Sequence, residues 1–284
     1  MRNALTFDIE EYYQVEAFRD LVAVEDWPRW PSRVAASTRM LLDLLETRGV
    51  SATFFVVGWV AERHPDLVRD IAGRGHEVGC HGYWHRPIYS MDRAEFREDL
   101  RRARQAIEDA AGVSLLGYRA PTCSVVRETR WALDVLAEEG FRYDSSVFPI
   151  HHDRYGIPDA PRFPHRVPVG GGGEILEVPM TTVRIGGQNL PFCGGGYFRL
   201  LPYQLIRAGL RRVNARDGMP GVVYLHPWEF DPQQPRVGVR GLSRFRHYVN
   251  LGGTAGKLDR LIQEFEFGPV VDVLRDQRLM AVPA

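Results

Sequence analysis

The stretch Glu77-Val78-Gly79-Cys80-His81-Gly82-Tyr83-Trp84-His85-Arg86-Pro87 places two histidines four residues apart, directly after a short apolar run. The apolar run predicts a strand, and Gly82 and Pro87 limit any helix that follows to about one turn. Histidines at this spacing share one face of a helical turn, from which two imidazoles can reach one divalent metal. The alternative is that His81 and His85 are ordinary surface or core residues.

Apolar runs that predict strands alternate with helical patterns along the whole chain. The predicted strands cover residues 4–9, 51–58, 77–80, 115–121, 141–146, 175–185 and 221–226, and the predicted helices cover residues 32–49, 59–74, 92–111, 128–140, 202–217 and 257–267. This alternation indicates a parallel sheet with right-handed crossovers, either a wound sheet or a barrel. We interpret the chain as one domain, residues 1–284, with an irregular insertion near 148–174 and a C-terminal helical extension near 254–284.

Composition and charge restrict the class of partner. The 284 residues include 36 Lys and Arg and 36 Asp and Glu. This balance argues against nucleic acid or an anionic membrane surface as the main partner, although a local basic patch can hide within the total. No run resembles a secretory signal or approaches a membrane span, so we expect a cytoplasmic protein without stable membrane insertion. The three cysteines, Cys80, Cys123 and Cys193, are expected to be small buried residues, and the oligomeric state is left open.

Polar residues recur at the ends of separate predicted strands. They are Asp8 and Glu10 after the first strand, His81 and His85 after the third, Arg119 in the fourth, Asp144 in the fifth and His226 after the seventh. In a closed parallel barrel these strand ends converge on one face. Two histidines and a carboxylate suit a catalytic metal, a second carboxylate can accept the proton of a water, and a separate histidine can protonate a departing amine. Together they predict hydrolysis of an amide or ester.

The wider pattern resembles the polysaccharide deacetylases with a NodB-like domain, carbohydrate esterase family 4. The matching motifs, in the order of that family, are Thr6-Phe7-Asp8, Ala52-Thr53-Phe54-Phe55-Val56, His81-x-x-x-His85, Arg119-x-Pro121, Asp144 and Leu225-x-His226. Three further motifs resemble the branch found beside exosortase and exopolysaccharide gene clusters: Asp8-Ile9-Glu10-Glu11-Tyr12, Tyr143-Asp144-Ser145-Ser146-Val147-Phe148-Pro149 and His226-Pro227-Trp228-Glu229. The resemblance implies a distorted (β/α) barrel of seven or eight parallel strands and metal-dependent removal of N-acetyl groups from sugars.

The resemblance also implies a role for each polar residue. Asp8 corresponds to the catalytic base, and Arg119 would hold it in place. His226 corresponds to the general acid that protonates the departing nitrogen. Asp144 would hydrogen-bond to His226, fix its orientation and raise its pKa.

His81 and His85 correspond to metal ligands, and Glu10 and Glu11 are the two candidates for the carboxylate ligand. The commoner family pattern has a second aspartate after the base, where this chain has Ile9. We choose Glu10 because positions 8 and 10 share one face of a strand, and keep Glu11 as the alternative because the strand is ending. Zinc is the first expectation for the metal, and cobalt, nickel or iron suit the same ligands.

Four residues near these motifs are candidates for contact with a sugar: Tyr12, Trp84, Pro121 and Trp228. The predicted function is N-deacetylation of an oligosaccharide, a polysaccharide or a lipid-linked sugar precursor, with release of acetate. One alternative is an amidohydrolase of the same fold that acts on a small non-sugar amide or cyclic ureide. Another is a catalytically silent carbohydrate-binding protein.

Overall fold

The fold is organised around one sheet of mostly parallel strands. A computed structural model describes residues 1–152 and 154–281. The strands are β1 (Asn3–Ile9), β2 (Thr53–Val56), β3 (Glu77–Cys80), β4 (Gly117–Tyr118), β5 (Tyr143–Asp144), β6 (His165–Pro168), β7 (Glu174–Glu177), β8 (Thr182–Ile185), β9 (Gln188–Pro191), β10 (Val222–Leu225) and β11 (Phe267–Gly268). The main sheet runs β10-β1-β2-β3-β4-β5-β7-β6, parallel as far as β7, and β11 also pairs with β1. The sheet curls into a half-barrel, which confirms the predicted distorted-barrel class.

Helices follow most of the parallel strands. They are α1 (Val34–Arg48), α2 (Gly58–Arg63), α3 (Pro65–Gly73), α4 (Arg93–Ala111), α5 (Trp131–Glu138), α6 (Gly195–Leu200), α7 (Tyr203–Arg212), α8 (Gly241–Tyr248), α9 (Thr254–Glu264) and α10 (Val270–Asp276). The start of α4 shows how local side chains fix the residue at which a helix begins. The Asp92 carboxylate accepts from two N–H groups of the first turn, while Glu95 reaches back to the Asp92 N–H, a complete capping box.

Two predicted elements differ from the structure for local reasons. The helix predicted over 59–74 is two helices, α2 and α3, which meet at His64 because Pro65 lacks the N–H that a continuous helix needs. The strand predicted over 175–185 ends before Pro179, and residues 182–185 pair instead with β9 in a separate hairpin. That hairpin turns at Gly186 and Gly187, both at positive φ, which glycine adopts at little cost.

The insertion and the extension each contain a strand that was not predicted from the sequence. The insertion near 148–174 ends in β6, which pairs antiparallel with β7. The extension near 254–284 contains α9 and α10, but between them β11 joins the central sheet beside Asn3 and Ala4. The extension is therefore not purely helical, and residues 282–284 lie outside the described residues.

β1 is the strand on which the interior depends. It pairs with β2, β10 and β11, and all seven of its residues are buried. Leu5, Phe7 and Ile9 join the main hydrophobic core, while Thr6 and Asp8 alternate with them and face the polar interior of the curled sheet.

The three cysteines are buried and free, as predicted from their spacing. In the described part of the chain, no helix has the length and apolar character that crossing a bilayer requires.

The buried imidazole of His76 is expected to make folding sensitive to acid. Its Nδ1 accepts a hydrogen bond from the Ala52 N–H at 3.2 Å. Burial, together with Arg74, lowers the pKa of His76 from 6.5 to about 4. Between these values the unfolded chain binds a proton that the folded chain does not, so this group should cost about 1–2 kcal/mol of the free energy of unfolding as the pH falls from 7 to 4.

Urea unfolding at pH 7 and pH 4 checks this expectation, with His76→Gln as the non-titrating comparison. The stability advantage of the wild type over His76→Gln should shrink at pH 4. An advantage that is the same at both pH values would contradict it.

Candidate active site

The carboxyl ends of β1, β3, β4 and β10 open into one cavity of about 180 Å³. The cavity is lined by Asp8, Glu10, Val15, Glu16, His81, His85, Ala120, Thr122, Cys123, Tyr155, Tyr224, His226 and Trp228. The structure thus brings together residues from strands far apart along the chain, as the strand-end pattern predicted.

His81, His85 and Glu10 form a group suited to a metal. One nitrogen of each imidazole and one carboxylate oxygen lie within 4.8 Å of one another, and all three residues are buried. His81 Nδ1 lies 2.7 Å from the carbonyl oxygen of Arg119, so Nδ1 carries the proton. The lone pair of Nε2 is then available to bind a metal. His85 Nε2 contacts the Glu10 carboxylate, and among the described residues its buried Nδ1 has no hydrogen-bond partner. This donor set fits a divalent transition metal.

The protonation states of two of these groups, Glu10 and His81, fit a metal as well, whereas the charge of Glu10, acting against burial, raises the pKa of His85. Burial alone would raise the pKa of Glu10, but the imidazoles of His85 and His226 bring it below its usual value. Burial lowers the pKa of His81 to about 4. An ionised carboxylate and a neutral imidazole are the protonation states in which these side chains bind metals.

Glu11, the alternative carboxylate, points elsewhere. Its carboxylate accepts from the N–H groups of Arg33 at 3.0 Å and Val34 at 3.2 Å, and from the hydroxyl of Ser32. These are orphan donors at the start of α1, so Glu11 caps a helix. The choice of Glu10 over Glu11 agrees with this geometry.

The two histidines do not lie on a helical turn, and that part of the sequence interpretation was wrong. Residues 81–87 form a loop in which Gly82 has φ 71° and His85 has φ 50°. The carboxylate of Asp99, on α4, accepts from the two N–H groups that follow Gly82, at 2.7 and 3.2 Å. Asp99 was missed because its partner N–H groups belong to a loop sixteen residues away, and no local motif indicates such a contact.

Arg119 holds Asp8 from behind the cavity. Its Nη1 donates to Asp8 Oδ1 at 2.8 Å and to Thr6 Oγ1 at 2.7 Å, and its Nε and Nη2 donate to Ser145. Asp8 Oδ2 lies 3.7 Å from His226 Nε2. One oxygen of Asp8 is thus fixed by Arg119, and the other faces the cavity.

The prediction that Asp144 hydrogen-bonds to His226 is wrong, because Glu229 occupies that position. Glu229 Oε1 accepts from His226 Nδ1 at 2.6 Å and from the His226 backbone N–H at 3.1 Å. Its other oxygen accepts from Arg199 Nε at 2.7 Å, and Arg199 is itself buried. The signal for Glu229 was present in the sequence: an acid three residues after a strand end, across a proline, is the spacing of a capping box.

Asp144 instead belongs to a structural pair. It accepts from the Ser146 hydroxyl at 2.6 Å and the Ser146 N–H at 3.2 Å. Glu177 lies against it, and burial together with the charge of Asp144 raises the pKa of Glu177 well above its usual value. The two carboxyl groups therefore share a proton at neutral pH, which explains how both can be buried.

His226 is the most basic imidazole of the cavity. Burial alone would lower its pKa, but Glu10, Glu229 and Asp8 raise it to about 9. At neutral pH His226 is therefore an imidazolium that can give up a proton from Nε2, while Nδ1 stays bonded to Glu229.

Of the four residues predicted to contact a sugar, Trp228 lines the cavity and the other three do not. Trp228 Nε1 donates to Glu10 at 2.9 Å. Tyr12 and Pro121 are buried and do not line the cavity, and their role as sugar contacts stays a prediction. Trp84 is half-buried and outside the cavity lining, beside Arg102. Two tyrosines that the sequence interpretation did not assign, Tyr155 and Tyr224, line the cavity instead.

The strand ends of one curled parallel sheet gather two carboxylates, three histidines and a buried arginine, an arrangement typical of enzyme active sites in barrel folds. Residues 4–143 match the family model described as polysaccharide deacetylase, and the amino-terminal half of the chain belongs to that family. Residues 145–275 match a second model, described as a domain of unknown function (DUF3473). The central sheet crosses from one region into the other through β7, β10 and β11.

Named relatives agree with the family match. The chain is 31% identical over 98 residues to a peptidoglycan-N-acetylglucosamine deacetylase of Bacillus cereus, covering 34% of this chain and 36% of the relative. It is 30% identical over 114 residues to a chitooligosaccharide deacetylase of Rhizobium leguminosarum bv. trifolii, covering 40% and 49%. The chain therefore spans less than half the length of these relatives.

Two solved structures extend the likeness over almost the whole chain. A Mycobacterium smegmatis protein assigned as a polysaccharide deacetylase has a TM-score of 0.66 at 25% identity, covering 99% of this chain and 93% of that one. The Puue allantoinase has a TM-score of 0.60 at 19% identity, covering 98% and 91%, which is a likeness of fold alone.

Replacing Glu229 by glutamine removes a charge that stabilises the His226 imidazolium. We expect the pKa of His226 in the metal-free protein to fall by about one unit or more. Titration of the histidine signals by NMR measures this. Glu16→Gln, at a carboxylate that lines the cavity but is not bonded to His226, is the matched control and should leave the His226 signal close to that of the wild type. Equal shifts in both variants would show that Glu229 has no special contact with His226.

Proposed function

We propose that this chain hydrolyses the N-acetyl group of an amino sugar in an oligosaccharide, a polysaccharide or a lipid-linked precursor. The observation that carries the proposal is the meeting of Asp8, the His81–His85–Glu10 group and a protonated His226 around one cavity. The family match of residues 4–143 supports the same reaction class.

The proposal includes one divalent metal held by Glu10, His81 and His85. Zinc is the first candidate, and cobalt, nickel or iron suit the same donors. When bound, such an ion supplies Lewis-acid polarisation of a water and of the acyl oxygen.

The side chains around it have separate roles. The open oxygen of Asp8 accepts the proton of the attacking water, while Arg119 holds the other oxygen. His226 Nε2 then delivers a proton to the amide nitrogen as the carbon–nitrogen bond breaks, which releases acetate and a free amino sugar. Glu229 keeps His226 in the orientation and charge state that this step requires.

The size of the cavity supports attack on a substituent of a larger molecule. At about 180 Å³ it is smaller than the roughly 300–1,000 Å³ of sites that enclose drug-sized ligands. An acetamido group and part of one sugar ring would enter, with the rest of the glycan outside.

Three further sequence interpretations stay part of the proposal. The single domain over residues 1–284 is supported by the sheet that the two matched regions share. The resemblance to the exosortase-associated branch and the cytoplasmic location stay predictions.

Changing His226 to alanine should lower acetate release from an N-acetylated oligosaccharide by roughly two to four orders of magnitude. The loss should be much smaller with an aryl acetate, because a phenolate leaves without needing a proton. Rates on the two substrates, measured with the same enzyme preparations, check the assignment. Near-normal turnover of the amide by His226→Ala would remove His226 as the acid.

Metal affinity tests the ligand set through Glu10 and its neighbour. Glu10→Gln should weaken zinc binding, measured by calorimetry, by at least about tenfold, because it removes a charged ligand. Glu11→Gln is the matched control: it removes the charge and one acceptor oxygen from the cap of α1, so it should lower the melting temperature but leave the zinc affinity close to that of the wild type. Equal losses of affinity in both variants would sink the assignment of Glu10.

Acetate release from a panel of N-acetylated glycans, with and without chelator, tests the reaction itself. Activity that a chelator abolishes and zinc restores is the expected result. Hydrolysis confined to small non-sugar amides or cyclic ureides would favour the same-fold amidohydrolase. Sugar binding without any hydrolysis would favour a silent carbohydrate-binding protein.

A further inference from the structure

An exposed segment near the carboxyl end of the chain carries arginines and no acids, although the charge of the whole chain is balanced. No Asp or Glu occurs between Asp231 and Asp259, a segment that contains Arg236, Arg240, Arg244, Arg246 and Lys257. The four arginine side chains are exposed, and none forms an ion pair with a residue that the structure describes. We call residues 236–246 the α8 surface, after the helix that carries most of it.

The α8 surface is also apolar on its outer side. α8 packs inward through His247, which is buried, while Leu242 and Phe245 are 60% and 53% exposed. Residues three apart lie on one face of a helix, and Arg246 lies next to them on that face. An exposed leucine and phenylalanine set among arginines is the composition of helices that lie in a membrane interface.

Neighbouring segments do not cancel the positive charge. Phe18 packs on His247, with ring centroids 4.5 Å apart, and so brings the short helix Glu16–Phe18 beside α8. That helix and the residues after it add two acids, Glu16 and Asp20, and one base, Arg19, which is paired with Glu16. Four exposed arginines still outnumber the acids.

The inner side of α8 packs behind a side chain that lines the cavity. The ring of His247 stacks on that of Trp228 at 4.3 Å. Trp228 lines the cavity and donates to Glu10. Anything that binds the α8 surface therefore lies one layer of side chains from the candidate catalytic groups.

We propose that the α8 surface docks reversibly on an anionic phospholipid bilayer, with Leu242 and Phe245 in the headgroup layer and the arginines against lipid phosphates. A soluble polyanion would engage the arginines but gain nothing from two exposed apolar side chains, so the pair favours a lipid surface. The docking is independent of the proposed hydrolysis. If both hold, it brings the cavity close to sugars attached to lipid.

Co-sedimentation of the full chain with lipid vesicles tests the proposal. Wild-type protein should bind vesicles of phosphatidylglycerol and phosphatidylcholine at near-physiological salt, and bind vesicles of phosphatidylcholine alone far more weakly. The double variant Leu242→Ser, Phe245→Ser should bind at least about tenfold more weakly, and so should Arg240→Gln, Arg244→Gln. The matched control is Arg184→Gln, Ile185→Ser on the β8–β9 hairpin, where Ile185 is also 53% exposed; it should bind like the wild type.

A second measurement is independent of the serine variants. A polarity-sensitive dye on Leu242→Cys should shift to the blue with anionic vesicles, and the same dye on Ile185→Cys should not. The native cysteines are buried and should not compete for the label.

Each outcome of these measurements either supports or overturns the proposal. No binding to anionic vesicles overturns the proposal. Binding that survives the loss of Leu242 and Phe245 would show a site for polyanions in general. Binding that soluble polyglutamate competes away as effectively as lipid would show the same. Either result also overturns the proposal. Asp8→Asn should bind vesicles like the wild type, so the docking result stands apart from any failure of the proposed hydrolysis.

Discussion

The charged side chains around the candidate active site are buried, and each needs an ion-pair or hydrogen-bond partner. Burying an unpaired charge costs several kcal/mol, whereas a charge with its hydrogen bonds satisfied can be tolerated. Arg119 is the clearest case, since it is buried and bonds to Thr6 and Asp8 on β1 and to Ser145 after β5. These bonds lock β1, β4 and β5 at the spacing that forms the site.

A second buried arginine ties the later half of the chain to the same place. Arg199 donates to Glu229 and to the carbonyl oxygens of Arg246, His247 and Val249. The region of residues 4–143 thus supplies the candidate base and metal ligands, while residues 145–275 supply His226 and Glu229. Neither matched region contains the whole site. The site exists because β10, from the second region, pairs with β1, from the first.

Backbone strain gathers where the chemistry is proposed. His85, Thr122 and Cys123 have positive φ without being glycine, and all three line the cavity. Such conformations cost free energy and persist only where surrounding contacts enforce them. Asp99 is one such contact, because it bonds to the N–H groups of the loop that leads to His85. Packing of the core around β1 stabilises the fold and offsets the free-energy cost of these strained residues.

Much of this arrangement was readable along the chain because it depends on short-range patterns. Apolar runs ending in polar residues located β1, β3 and β10, and the two-residue period of a strand placed Glu10 on the side of Asp8. Three features were not inferred from the sequence: the hydrogen bond between Glu229 and His226, the burial of Tyr12, and the loop conformation of His81 and His85. The first was signalled by a capping-box spacing whose chemical meaning appears only when His226 meets Asp8 and Glu10. The others depend on contacts between segments remote in sequence, such as α4 against the histidine loop, whose free energy no local pattern encodes.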